Sequence, residues 1–198
     1  MNDLIQVIKI LDTKDLKIIN EHIDTLTFKP NTVFGTGGKN KVAKYWRTST
    51  GTSLNDNDDV TCIFHQKIND ALVEYKKRIS LISDNFNCYP VPGGIETDSY
   101  REDIQIIEYS PDQEYKFHHD AATNSKIKEY HRKISVIVYL TDKFTGGHTA
   151  FPHCKYRPEP GHGLIFPSNW CYPHAGKPVL EGKKRIAVTW YYANDRTC

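Results

Sequence analysis

Tyr115-Lys116-Phe117-His118-His119-Asp120 is the stretch on which the reading of this chain turns. It begins as a β-like run and ends with an imidazole and a carboxylate two positions apart. On a strand, side chains two apart share a face, so His118 and Asp120 can reach one ion while His119 points away. A second imidazole from a distant segment would complete a two-histidine, one-carboxylate set. That pattern holds a non-haem ferrous iron by one face and leaves the opposite positions open. His174 is the candidate for the third ligand, although His148, His153 and His162 lie in the same half of the chain.

On either side of this stretch the chain reads as short strands: Ile104–Tyr109, Tyr115–His118, Lys133–Leu140, Thr149–Phe151, Gly163–Phe166 and Arg185–Tyr192. Turn signals separate them, among them Ser110-Pro111-Asp112, Gly146-Gly147 and Pro158-Glu159-Pro160-Gly161. The first half has a different period. Residues 1–10 suggest one strand, and Thr13 reads as an N-cap before Leu16, Ile19, Ile23 and Leu26 at helical spacing, with Pro30 as the stop. Residues 31–57 read as loops around one short strand near Val42–Arg47. A longer helix is predicted from Asp58 or Asp59, with Val60, Phe64, Ile68, Leu72, Tyr75 and Ile79 as its apolar stripe. Lys76, Lys77 and Arg78 form its solvated basic end. Helices first and strands afterwards predict a mainly β fold, an antiparallel barrel buttressed by helices.

With 198 residues, of which 38% are hydrophobic and 25% charged, the chain can bury a real core as one domain. A net charge of +2 gives no electrostatic reason to expect nucleic acid or a membrane surface as partner. The five cysteines are odd in number, widely spaced and free of any C-x-x-C pair, which fits a reducing compartment better than a disulfide framework or a zinc knuckle. The N-terminus lacks a basic region followed by an apolar core, so the expected location is cytoplasmic, bacterial or viral.

Ten positions after His174 stands Lys184. It opens a strand expected to run beside the histidine's own, and alternation places Lys183 and Arg185 on the other face. An inward-facing lysine is costly unless a carboxylate meets it. A dicarboxylic acid bound end-on satisfies it, with the far end on the metal, as 2-oxoglutarate would lie.

With these residues in place, the chain resembles the prolyl 4-hydroxylase branch of the Fe(II)/2-oxoglutarate-dependent dioxygenases. The likeness runs from about Lys44 to Tyr192 and rests on motifs in order. These are Arg47-Thr48-Ser49, Ile104 to Tyr109, Tyr115 to Asp120, Arg132-Lys133-Ile134-Ser135 leading to Tyr139-Leu140, Gly146-Gly147-His148-Thr149-Ala150-Phe151, and His174 with Pro178-Val179. The resemblance implies a double-stranded β-helix of jelly-roll type. Residues 1–103 would give helical support and substrate loops (around 31–57 and 83–101), and residues 104–192 the catalytic core.

It further implies iron on His118, Asp120 and His174, with 2-oxoglutarate held by Lys184 and by Tyr109, Tyr139 and Ser135. Arg47, Ser49, Glu102, Tyr115, Arg132 and Trp190 would stand on the substrate side, with Tyr115 and Trp190 as an aromatic wall for a proline ring. The activity so implied is hydroxylation of peptidyl proline to 4-hydroxyproline with dioxygen, releasing succinate and carbon dioxide, with ascorbate as reductant. The alternatives are another residue or a small molecule such as free proline as substrate, or a barrel that binds metal or ligand without turnover. The sequence departs from the family pattern at His148, where an acid is usual, at Ser135, where a threonine is usual, and at Tyr192, where some members carry histidine.

Overall fold

The computed structural model describes residues 2–34, 40–82, 99–122 and 130–194. In chain order the elements are β1 (Gln6–Lys9), α1 (Thr13–Ile23), β2 (Lys29–Pro30), β3 (Val33–Phe34), β4 (Asn40–Lys41), β5 (Thr50–Ser53), α2 (Asp59–Ser80) and β6 (Ser99–Arg101). Then follow β7 (Gln105–Tyr109), β8 (Tyr115–His118), β9 (Tyr130–Tyr139), β10 (Phe144–Gly146), β11 (Thr149–Ala150), β12 (Lys155–Tyr156), β13 (His162–Pro167), β14 (His174–Gly176), β15 (Val179–Gly182) and β16 (Lys184–Asn194).

The strands form two facing layers. The major sheet has the order β1-β13-β9-β16-β7-β5-β2, with β6 added to β16. Opposite it lie a four-stranded sheet, β12-β11-β14-β8, and the β10-β15 pair. This is a jelly roll, open at its edges among the described residues rather than a closed barrel. The N-terminal segment also does more than buttress, because β1 pairs with β13 at one edge and β5 with β7 towards the other.

Helix α1 is capped one residue earlier than expected. Asp12, not Thr13, is the N-cap: its carboxylate accepts from Asp15 N at 2.8 Å while Asp15 accepts from Asp12 N at 3.1 Å, a reciprocal capping box. The helix ends at Ile23, short of Leu26. Along α2 the six stripe residues are all buried, each contributing roughly 1.5–3 kcal/mol for a fully buried large apolar side chain. That stripe and Ile19 and Ile23 of α1 pack on the outward-facing Ile106, Ile134, Val136, Val138 and Ala187 of the major sheet. The inward residues Ile107, Tyr109, Ile137, Leu164, Ile186 and Val188 make the second core, between the sheets.

Two further expectations fail. Val42–Arg47 is not a strand, because Trp46 N and Arg47 N both donate to Ala43 O and close a turn; the strand lies later, at Thr50–Ser53. Nor does Lys184 open a strand beside that of His174. After β14 the chain runs into β15, which pairs with β10, and turns at Gly182 (φ 76°), where a Cβ would meet Lys143 O at 2.1 Å. It then enters the major sheet as β16, between β9 and β7. His174 and Lys184 therefore face one another across the interior from opposite sheets. The expected substrate loop at 83–101 lies, up to residue 98, outside the described residues.

Candidate active site

β8 ends at His118, so Asp120 stands just beyond the strand rather than on it; the pairing of His118 with His174 in β14 still brings the three groups together. One ligand atom from each of His118, Asp120 and His174 lies within 4.8 Å of the others. Each Nε2 is 3.6 Å from one oxygen of Asp120. Both Nδ1 atoms face a backbone carbonyl two residues back, Lys116 O at 2.8 Å and Tyr172 O at 3.1 Å. Donation to those carbonyls fixes the tautomer in which both Nε2 lone pairs are free for a metal. Among the described residues no other cluster of three such groups occurs, and His148, His153 and His162 stand apart from this one.

The carboxylate is held from behind. Ser135 Oγ donates to Asp120 Oδ2 at 2.7 Å and lies 2.8 Å from Ser168 Oγ. Ser135, expected on 2-oxoglutarate, thus sits on the presumed metal ligand instead. Burial alone would raise the Asp120 carboxyl, but the imidazoles of His174 and His118, the Trp190 indole and Ser135 bring it down to about 2. Burial, with His174 beside it, lowers His118 to about 3, so the imidazole is neutral and ready to ligate.

A cavity of about 1120 Å³ opens over the triad between the sheets. Along β16 every second side chain enters it: Lys184, Ile186, Val188, Trp190 and, past a bulge, Tyr192. The intervening Arg185 faces α1, where it meets Glu108 at 2.6 Å, Asp24 at 2.8 Å and Asn20 at 3.0 Å, and Lys183 reaches Glu108 at 3.4 Å. Of Lys183, Lys184 and Arg185, alternation therefore leaves Lys184 facing the cavity.

Lys184 is 1% exposed, and its ammonium donates to Gly147 O at 2.6 Å. Gly147 (φ 61°) follows Gly146 (φ 69°), a left-handed pair that only glycine adopts readily, and this turn aims the carbonyl at the lysine. An ammonium has three donors, and no carboxylate pairs with this one among the described residues. Burial, with Arg157 adding to it, brings Lys184 down to about 7. Tyr109 lines the cavity beside it, with its ring centroid 5.2 Å from Nζ. Tyr139 is close too, at 5.1 Å, but its hydroxyl is 2.6 Å from Thr149 Oγ1 and it is not on the cavity wall. Thr149, which sequence reasoning did not single out, is.

The residues expected on the substrate side divide into two groups. Arg47 Nε donates to Ser49 Oγ at 3.1 Å, and its guanidinium lies 4.7 Å from the Tyr115 ring centre. Tyr115 stacks in turn on the His118 imidazole, centroids 3.6 Å apart. On the other side Arg132 makes a two-pronged pair with Glu102, at 2.8 and 2.7 Å, and its guanidinium covers the Trp190 ring at 3.9 Å. Tyr192 joins this second group, and Asn169 also lines the cavity. The two-residue alternation from Lys184 was the signal that could have found Tyr192; Asn169, in a loop, had none.

Residues 104–193 match the family model described as the 2OG-Fe(II) oxygenase superfamily. The chain is 38% identical over 107 residues to a putative prolyl 4-hydroxylase of Acanthamoeba polyphaga mimivirus, a match covering 46% of this chain and 44% of that protein. The chain spans about half the length of the curated relatives it matches. Among solved structures it is similar to the viral collagen prolyl hydroxylase of Paramecium bursaria Chlorella virus-1 in its 2OG complex, with TM-score 0.67, 22% identity and 96% of each chain covered. It is also similar to a Pseudomonas putida prolyl-4-hydroxylase, with TM-score 0.66, 14% identity, and 97% of this chain and 94% of that one covered. At those identities the likeness establishes a shared fold.

Proposed function

We propose that this protein is an Fe(II)- and 2-oxoglutarate-dependent dioxygenase that hydroxylates proline in a peptide or protein to 4-hydroxyproline. The observation that carries the reading is the pairing of two features across one cavity. A triad with both Nε2 atoms freed stands on one sheet, and a buried lysine with unused donors stands on the other. Two imidazoles with free Nε2 atoms and a carboxylate suit a divalent first-row metal, and the ammonium suits the far carboxylate of a dicarboxylic acid.

Bound iron and 2-oxoglutarate would supply the oxidising chemistry, splitting dioxygen so that one atom enters succinate and the other a C–H bond, with loss of carbon dioxide. The protein's residues do the rest. His118, Asp120 and His174 would hold the metal by one face. Lys184 would anchor 2-oxoglutarate end-on, with Tyr109 and Thr149 lining its seat. Tyr115 is fixed between Arg47 and His118 and would set the position of the substrate ring. The apolar walls from Ile186 and Val188 keep water from the reacting centre.

The prolyl substrate is supported by the names of the relatives and by aromatic rings at the metal end of the cavity. A cavity of this size has room beyond 2-oxoglutarate for part of a peptide. Ascorbate is the expected reductant for iron oxidised in unproductive turnovers. The free thiols at Cys62, Cys154 and Cys171 suit the reducing cytoplasm of a bacterium or an infected host. Among the described residues, no helix is long and apolar enough to cross a membrane.

The test is succinate release under air with Fe(II), ascorbate and a panel of proline-containing peptides, read with peptide mass. Peptide-stimulated succinate with one added oxygen on proline supports the proposal. Succinate with no peptide effect moves the substrate to another class. Absence of succinate from metal-loaded protein makes it a binding barrel.

A further inference from the structure

The cavity ends in two clusters of unlike character, and the one remote from Lys184 contains a residue to which no role has been given. Tyr192 is 4% exposed and lies on the cavity wall, eight residues along β16 from Lys184. Its phenol oxygen accepts from Arg132 Nε at 3.1 Å and donates to Glu102 Oε1 in a short contact. The Arg132 Nε–H is shared, since it also points to Glu102 Oε1 at 2.8 Å. The three side chains thus close a ring of hydrogen bonds: carboxylate to guanidinium, guanidinium to phenol, phenol to carboxylate.

The ring is not isolated. From Arg132 it continues in two directions, both ending at Asp120. The guanidinium plane lies on the Trp190 indole at 3.9 Å, and that indole N–H is directed at the Asp120 carboxylate and helps to lower its pKa. Arg132 NH1 also donates to the Asp120 backbone carbonyl at 3.4 Å. Backbone pairing holds the same parts in register, because Glu102 N donates to Trp190 O at 2.9 Å and Thr189 Oγ1 to Glu102 O at 2.7 Å.

We infer that Tyr192 is a positioning residue: its phenol fixes the Arg132 guanidinium on Glu102, and Arg132 in turn fixes the Trp190 indole and the Asp120 backbone behind the metal carboxylate. The two-pronged pair leaves the Arg132 and Glu102 side chains free to swing together about their stems, whereas the phenol, bonded to both, ties the pair to β16. Asp120 needs this because it lies past the end of β8, where no ladder hydrogen bond restrains it. Such outer partners commonly set ligand orientation and metal affinity.

The inference rests on the metal triad proposed above, and the test separates the two. Metal-free wild type and Tyr192→Phe are titrated with Co(II), followed by its visible absorption, and their melting temperatures are compared without metal. Tyr192→Phe keeps the ring and removes only the hydroxyl. The expected result is a Co(II) dissociation constant raised about tenfold, the low end of what loss of an outer partner costs, with the metal-free melting point within a few degrees of wild type. In turnover, the ratio of succinate to hydroxylated product should rise, while the 2-oxoglutarate requirement, set at the far end by Lys184, stays near wild type. Glu102→Gln should give the same signature, and the double variant should lose little beyond either single one.

Equal Co(II) affinity and equal coupling ratio in wild type and Tyr192→Phe overturn the inference and leave Tyr192 a wall residue. A large fall in melting point with proportionate loss of every function also overturns it, since the role is then stability alone. Failure of wild type to bind Co(II) strikes the metal triad itself and with it the basis of the inference.

Discussion

The two ends of the β16 stripe hold one cation each, Lys184 and Arg132, and the comparison between them is instructive. Arg132 is matched within the protein by the Glu102 carboxylate, the Tyr192 phenol and the Trp190 ring. Lys184 is more deeply buried, yet its assigned partner is one backbone carbonyl. Desolvating an ammonium against a single neutral acceptor is unfavourable, and its pKa of about 7 records that cost. A fold that keeps such a charge reserves it for a ligand; a fold that matches the charge internally uses it as framework.

Variants can break this comparison. The largest effect removes the ground common to both ends: His174→Ala should abolish specific metal binding and turnover, read by Co(II) absorption and succinate release. Residual activity would hand the third-ligand role to another histidine. Next, Lys184→Met should raise the KM for 2-oxoglutarate about 10- to 150-fold, from the ~1.5–3 kcal/mol of a hydrogen bond to a charged group. It should leave the melting point unchanged or higher, because a buried charge is gone. Arg132→Met should do the reverse. It leaves Glu102 facing the cavity unmatched and should cost about 1–3 kcal/mol in chemical denaturation, below the figure for a fully buried pair because both side chains are about one-fifth exposed.

The smallest test is pH. Burial brings Lys184 down to about 7, far below its ordinary 10.5, and the proposed carboxylate would be bound by its ammonium form. Below pH 7 it is already charged. Above that, binding must take up a proton, so 2-oxoglutarate affinity should fall with rising pH, by at most tenfold per unit. Lys184→Met should flatten the profile, and a wild-type profile flat from pH 7 to 9 would contradict the assignment.

The triad was legible as a two-residue spacing, His118 to Asp120, although Asp120 stands just past the end of β8, and strand alternation separates Lys184 from Lys183 and Arg185. The stripe of α2 was equally plain, since six large apolar residues at helical spacing have one face to bury. What stayed hidden depends on where strands go once they leave a turn. Nothing local in Pro178 to Gly182 says that the chain crosses from one sheet to the other. Ser135 and Tyr192 carried no visible sign of their hydrogen-bond partners, which are 15 and 60 or more residues away. Short strands such as β10, β12 and β15 are two to four residues long, too short to show a period.

The alternation along β16 also bears on how such a chain can change over time. Odd-numbered positions from Arg185 meet the helices, and even-numbered ones from Lys184 meet the cavity. A single codon inserted or deleted just before Lys184 would exchange the two sets, placing Arg185 or Lys183 in the cavity and Lys184 against the helices. Length changes in this strand are therefore expected in pairs of residues or as a compensating bulge, like the one already present between Tyr191 and Tyr192. Point substitutions, by contrast, can alter one face while the other goes on unaware.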